Sequence, residues 1–197
     1  MKSIQKPNPF ETKIFAKQTG IDARKWFMEK VRNLSLKEIK ETKTSDLRYR
    51  GAPGDLIGRM CYFGYQAKHA DKLPYWDRFP LTIMIDESAT HFLGLNMHYI
   101  PANLRVALLK ALMDVVTNER FDKSTKLKIS YDILKGVSKY RYFKPCLKSY
   151  IKKNVKTSIN IIRPAQWHMA IHLPSQKFVG AGTAEVWSDS KSIYSAR

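Results

Sequence analysis

Cysteine is scarce, with only Cys61 and Cys146 in 197 residues. Neither belongs to a CxxC pair, which excludes a disulfide framework and a thiolate zinc site. The expectation is two buried thiols in a reducing compartment. Long apolar runs are also missing. No stretch approaches the ~20 residues of a membrane span, and Lys2 and Lys6 precede no apolar segment of the kind a secretory signal needs. Both points favour a protein of the cytosol, or one assembled from it, with no membrane partner. Acidic residues are few: 17 Asp and Glu stand against 35 Lys and Arg, a net charge of +18. Such an imbalance costs self-repulsion that an anionic partner relieves, nucleic acid first, then acidic protein or anionic lipid.

Catalytic signatures are missing too. There is no GxxxxGKS/T phosphate loop, no GxSxG, and no GxGxxG after a strand; the GAGT at Gly180 lacks the third glycine. His168 and His172 stand at i and i+4, the spacing of two zinc ligands on a helix. A third ligand and a catalytic base are absent, and the pair reads as half-buried histidines beside Trp167. Asp22 with Glu38 and Lys40 mimics a nuclease carboxylate set, but Glu38 lies in a charged segment without strand character. Asp86 and Glu87 read as a turn. The expectation is a protein that is not an enzyme, with no catalytic residue, cofactor or metal.

What is present is a core and an uneven distribution of charge. Hydrophobic residues make up 44% and aromatics 12%, enough for a folded domain at this length. Residues 1–50 carry a net +7, residues 51–118 are neutral, residues 119–156 carry +9 and residues 157–197 carry +2. A neutral apolar middle is therefore flanked by basic segments. Residues 1–20 read as an arm and 21–197 as a single α+β domain, with a basic helical segment at 119–156.

Within the domain, residues 21–34 have helical spacing. Arg59 to Gln66, Leu81 to Ile85 and His91 to Ile100 read as three strands, the last alternating between Leu93, Leu95, Met97, Tyr99 and Gly94, Asn96, His98. They predict a small antiparallel sheet at about 56–100, with an SH3-like barrel as one way to close it, surrounded by helices. Residues 103–117 form the strongest helix pattern, apolar on two sides, which requires cover on both. Residues 124–135 are helical in pattern, 158–162 extended, and a helix is expected from Pro164 to Leu173. The tail keeps Trp187 and Tyr194 and is expected to dock.

The sharpest charge pattern is KPCLKSYIKKNVK. Lys144, Lys148, Lys152 and Lys156 recur every four residues, which on a helix makes one stripe opposite Leu147, Tyr150, Ile151 and Val155. Upstream, Lys139 and Arg141 interleave with Tyr140, Tyr142 and Phe143, a pairing suited to phosphate neutralisation with base stacking. Lys139, Arg141, Lys144, Lys148, Lys152, Lys153 and Lys156 are the candidate polyanion-binding residues. Tyr75, Trp76 and Phe79 are candidates for a protein interface.

The strings LPYWDRFPLTIMI, FLGLNMHYIP, LLKALM, YRYFKPC and VWSDS together resemble a family of small virion-associated proteins of contractile-tailed, myovirus-type bacteriophages. The resemblance covers roughly residues 55–190 and brings no active-site residues. It implies a structural or assembly component of the virion, in the baseplate, tail or neck, present in several copies beside other virion proteins, with DNA as a further partner. It also implies assembly in the host cytoplasm. The alternative is a DNA-binding or DNA-end-protecting accessory protein, for which the lysine stripe is indispensable. A metal-dependent nuclease is the third reading.

Overall fold

The computed structural model describes residues 54–101, 104–106, 108–109, 132, 136, 143–163 and 166–195. The arm at 1–20, the helix at 21–34, Glu38, Lys40, Lys139, Arg141 and nearly all of the helical pattern at 124–135 lie outside them.

Among the described residues seven strands follow in order: β1 (Met60–Tyr62), β2 (Trp76–Asp77), β3 (Leu81–Glu87), β4 (His91–Asn96), β5 (Leu147–Ile151), β6 (Asn160–Ile162) and β7 (Phe178–Val179). Helices α1 (Trp167–Ala170) and α2 (Thr183–Ser195) come late in the chain. The main sheet has the order β5-β4-β3-β1-β6, and β2 pairs with β7 in a separate two-stranded ladder. Every pairing is antiparallel. The fold is α+β, and its sheet draws two edge strands from beyond the 56–100 segment.

Both faces of the sheet are apolar, which explains why Leu81 to Ile85 is an unbroken buried run. Met60, Leu81, Ile83, Ile85, Leu95 and Ile162 pack on one face with Phe143, Trp167 and Val186. Cys61, Met84, Phe92, Tyr150 and Ile161 pack on the other with Leu56, Phe63 and Trp76. Each large side chain buried this way contributes about 1.5–3 kcal/mol. The register of β3 against β4 shifts between Met84 and Asp86. The extra residue sets Asp86 opposite Leu93, while Ile83 and Ile85 share one apolar cluster through the two-residue period of the strand itself. Gly94 sits where a Cβ would strike the Thr82 methyl and come 2.8 Å from the Ile83 carbonyl oxygen. Gly180 ends β7 at φ +93°, against the Pro74 carbonyl.

The strand expected at 91–100 stops at Asn96. Asn96 Oδ1 accepts from the His98 N–H, and Met97–Tyr99 turns as a 3-10 helix. Residues 94–100 are all buried, so both of the sets between which the segment was expected to alternate lie inside the molecule. Of the two-sided helix, residues 104–106, 108 and 109 are described as helical. Leu104, Leu108 and Leu109 are buried in the first cluster. The tail docks as α2, with Trp187 Nε1 donating to the His98 carbonyl at 2.8 Å.

The basic segment at 144–156 requires a correction. It is not a helix: a 3-10 turn (Lys144–Cys146) leads into β5, and a second (Lys152–Asn154) leads out. The aromatic candidates also find partners within the chain. Trp76 is only 7% exposed. Tyr75 meets Tyr99 and Phe178 at 6.1 and 6.3 Å, and Phe79 stacks on Tyr62 at 6.2 Å. Trp76 is therefore a core residue, and Tyr75 and Phe79 are half-buried.

Candidate nucleic-acid interface

The strand geometry disperses the expected lysine stripe. Lys144 is exposed on its 3-10 turn and Lys156 is exposed beyond β5. Lys148 is half-buried, with its ammonium 4.1 Å from the centre of the Tyr99 ring. Burial lowers its pKa from the ordinary lysine value. Lys152 lies 2.7 Å from Glu87 Oε1 and 4.8 Å from the centre of the Phe92 ring. Glu87 Oε2 in turn accepts from the Gly54 N–H at 2.9 Å.

Part of the set does converge. His91 pairs with Ile151 at the end of the β4–β5 ladder, and the Lys152 N–H donates to the Thr90 carbonyl at 2.9 Å. These contacts bring the loop before β4 beside Lys152 and Lys153. The Gln66 N–H donates to the Asn154 carbonyl, and Asn154 Nδ2 donates back to the Gln66 carbonyl, both at 3.0 Å. They draw in the segment carrying Lys68. The result is a cup of about 390 Å³ lined by Lys68, Thr90, His91, Ile151, Lys152 and Lys153, among others. Two of its cations were legible in the sequence. Lys68 and His91 were not, because only long-range contacts place them there: the Gln66–Asn154 bonds for Lys68 and the pairing of β4 with β5 for His91.

A second polar cluster lies inside the core. Asp77 Oδ2 accepts from His98 Nδ1 at 2.6 Å and from Asn96 Nδ2 at 3.0 Å. Ser175 Oγ stands 3.1 Å from His98 Nε2. Burial lowers the His98 pKa, against the raising pull of the Asp77 carboxylate. The imidazole is thus neutral, with its proton on Nδ1 toward Asp77 and Nε2 accepting from the serine. The order Ser–His–Asp is that of an acyl-transfer nucleophile, which must offer its oxygen to a substrate. Here His98 is 0% and Ser175 7% exposed, so the chain acts as an internal brace. Arg105 extends it, donating to the carbonyls of Ile100, Ile171 and His98 at 2.7, 3.1 and 3.3 Å. Burial lowers the Arg105 pKa to about 10, which leaves it cationic at neutral pH.

The histidine pair gives no metal site. α1 ends at Ala170, so His168 and His172 do not share a helical face; His168 is exposed and His172 buried. No group of three or more metal-ligating side chains occurs among the described residues. Both cysteines are buried and free, and burial raises the Cys61 thiol to about 12 and Cys146 further. No described helix is long and apolar enough to cross a membrane.

Fold and surface together define a strongly basic α+β protein with a cationic cup at one end of its sheet. Over residues 11–195 the chain matches the model of the phage T4 terminal DNA protecting protein family, and it belongs to that family. No curated protein and no solved structure matches it. The membership supports the contractile-tailed phage assignment and a role concerned with DNA ends. It gives no support to a place in the tail, baseplate or neck.

Proposed function

We propose that this protein binds the ends of phage DNA and shields them from degradation, acting by occupancy and not by catalysis. The observation that carries this reading is the family match across nearly the whole chain, to proteins described as protecting terminal DNA. The net charge of +18 agrees with it, since lysines that neutralise phosphates release counterions and drive association without reading sequence. On this reading the protein enters the virion with the DNA it holds and lies beside other virion proteins there.

The test is an exonuclease challenge. Linear duplex is incubated with the purified full chain, then treated with a double-strand exonuclease. The expected result is full-length DNA surviving at protein-to-end ratios near saturation, with linear DNA bound more tightly than closed circles. Magnesium added without the exonuclease should leave the DNA intact. Degradation at the same rate with and without the protein would overturn the proposal.

A further inference from the structure

We propose that the cup bounded by Lys68, Thr90, His91, Lys152 and Lys153 receives the 5′-terminal phosphate of a DNA strand. This deepens the end-binding reading above and rests on it.

Size is the first argument. A volume of about 390 Å³ falls in the range of small-ligand sites. It has room for a terminal phosphate and part of its nucleotide, and is too small to enclose a duplex. Filled in this way, it would engage DNA at an end.

Charge is the second. Lys68, Lys152 and Lys153 bring three cations, and Glu87, paired with Lys152, removes one, for a balance of +2. A phosphate within a DNA strand carries one negative charge. A terminal phosphate monoester carries about −1.5 to −2 at neutral pH and offers three oxygens as acceptors. The cup thus complements the monoester more closely than the diester. Lysine ammonium groups serve as point charges for such an anion and impose no base preference.

Preorganisation is the third. Lys152 is fixed between Glu87 and the Phe92 ring. The Thr90 and His91 side chains hydrogen-bond to each other at 2.7 Å through Oγ1 and Nδ1. The wall bearing Lys68 is tied to the wall bearing Lys153 through the reciprocal Gln66–Asn154 bonds. Less ordering remains to be done when the anion arrives. Lys68 and Lys153 are exposed, so removing either ammonium leaves the packing in place.

The experiment measures Kd of the full chain for duplexes with one end closed by a hairpin and the other blunt. The open end carries either a 5′-phosphate or a 5′-hydroxyl. Wild type is expected to bind the phosphorylated end about tenfold more tightly, equivalent to ~1.4 kcal/mol. The double variant Lys68→Gln, Lys153→Gln should bring the ratio close to one. Lys72→Gln, exposed in the same segment but outside the cup, should preserve it. Melting temperatures run in parallel verify folding. Lys68→Gln alone, which leaves β5 untouched, should show part of the same loss if the double variant is unstable. Equal affinity of wild type for the two ends, or an undiminished ratio in a folded double variant, would overturn the cup. If linear DNA is still preferred to closed circles in that case, end binding survives and the phosphate site alone falls. If linear and circular DNA bind alike, both readings fall.

Discussion

His98 is the residue on which most of the molecule leans. Its ring links Asp77 to Ser175, and its carbonyl accepts from Trp187 and Arg105. Because burial is the leading influence and lowers its pKa, the folded state disfavours the imidazolium. The unfolded chain, with a histidine near the ordinary ~6.5, takes up the proton first on acidification. Stability is therefore fully present above about pH 6.5 and is lost as pH falls toward the lowered folded value, at no more than ~1.4 kcal/mol per pH unit from this group. His98→Gln should remove that portion of the slope. At pH 7 it should cost ~1–3 kcal/mol, since the flexible amide does not reproduce the ring's simultaneous bonds to Asp77 and Ser175. Urea unfolding of both proteins between pH 5 and 7.5 measures this. Parallel stability curves would show that His98 does not titrate with folding. Nothing in the sequence marked this histidine or its partners. Asp77 and Ser175 sit 21 residues before and 77 after it, and neither spacing follows a helix or strand period.

At the scale of the element, β4 is held by a glycine. Gly94→Ala places a methyl against Thr82 and the Ile83 carbonyl across the ladder and should lower stability by about 1–3 kcal/mol. Gly182→Ala, where a Cβ meets nothing within 4 Å, should be close to neutral. Thermal melting of the two variants gives the comparison, and equal losses would refute the argument from the close approach. β1, β3 and β6 were legible because short β-branched and aromatic runs ended in turn residues. The segment 144–156 was not. A repeat of four is nearly commensurate with the 3.6-residue helical turn, and it is also twice the two-residue strand period. Lys148 and Lys152, four apart, therefore line up under either reading, whereas Tyr150 joins their side only in a strand. Pairing with β4 decided for the strand, in the register Gly94 with Lys148 and Phe92 with Tyr150. That choice is tertiary and leaves no mark on local spacing. For the same reason the candidate site was half-visible: Lys152 and Lys153 belonged to the charge pattern, whereas Lys68 and His91 join them only once the sheet has formed.

At the scale of the molecule, charge and stability reside in different lysines. Lys144 and Lys156 are exposed, whereas Lys148 and Lys152 cover Tyr99 and Phe92. If the exposed pair each contact a phosphate, Lys144→Gln with Lys156→Gln should flatten the slope of log K against log salt by about 2 on duplex, at roughly 0.9 per contact. The melting temperature should hardly move. Lys148→Gln should instead lower the melting temperature and leave the slope nearly unchanged. Salt titrations of duplex binding, run beside melting curves, separate the two effects, and identical slopes for wild type and the first variant would remove Lys144 and Lys156 from the DNA-facing surface. The order of the sheet has a consequence of another kind. β1 lies between β3 and β6, with Met60 opposite both Ile83 and Ile162. One side of β1 finds its neighbour soon after leaving the ribosome, but the other waits about a hundred residues for β6. At translation speeds of 5–20 residues per second that wait lasts roughly 5–20 s. Throughout it, the nascent chain exposes an unpaired strand edge beside Cys61 and Phe63, the kind of surface to which chaperones bind and along which neighbouring chains aggregate.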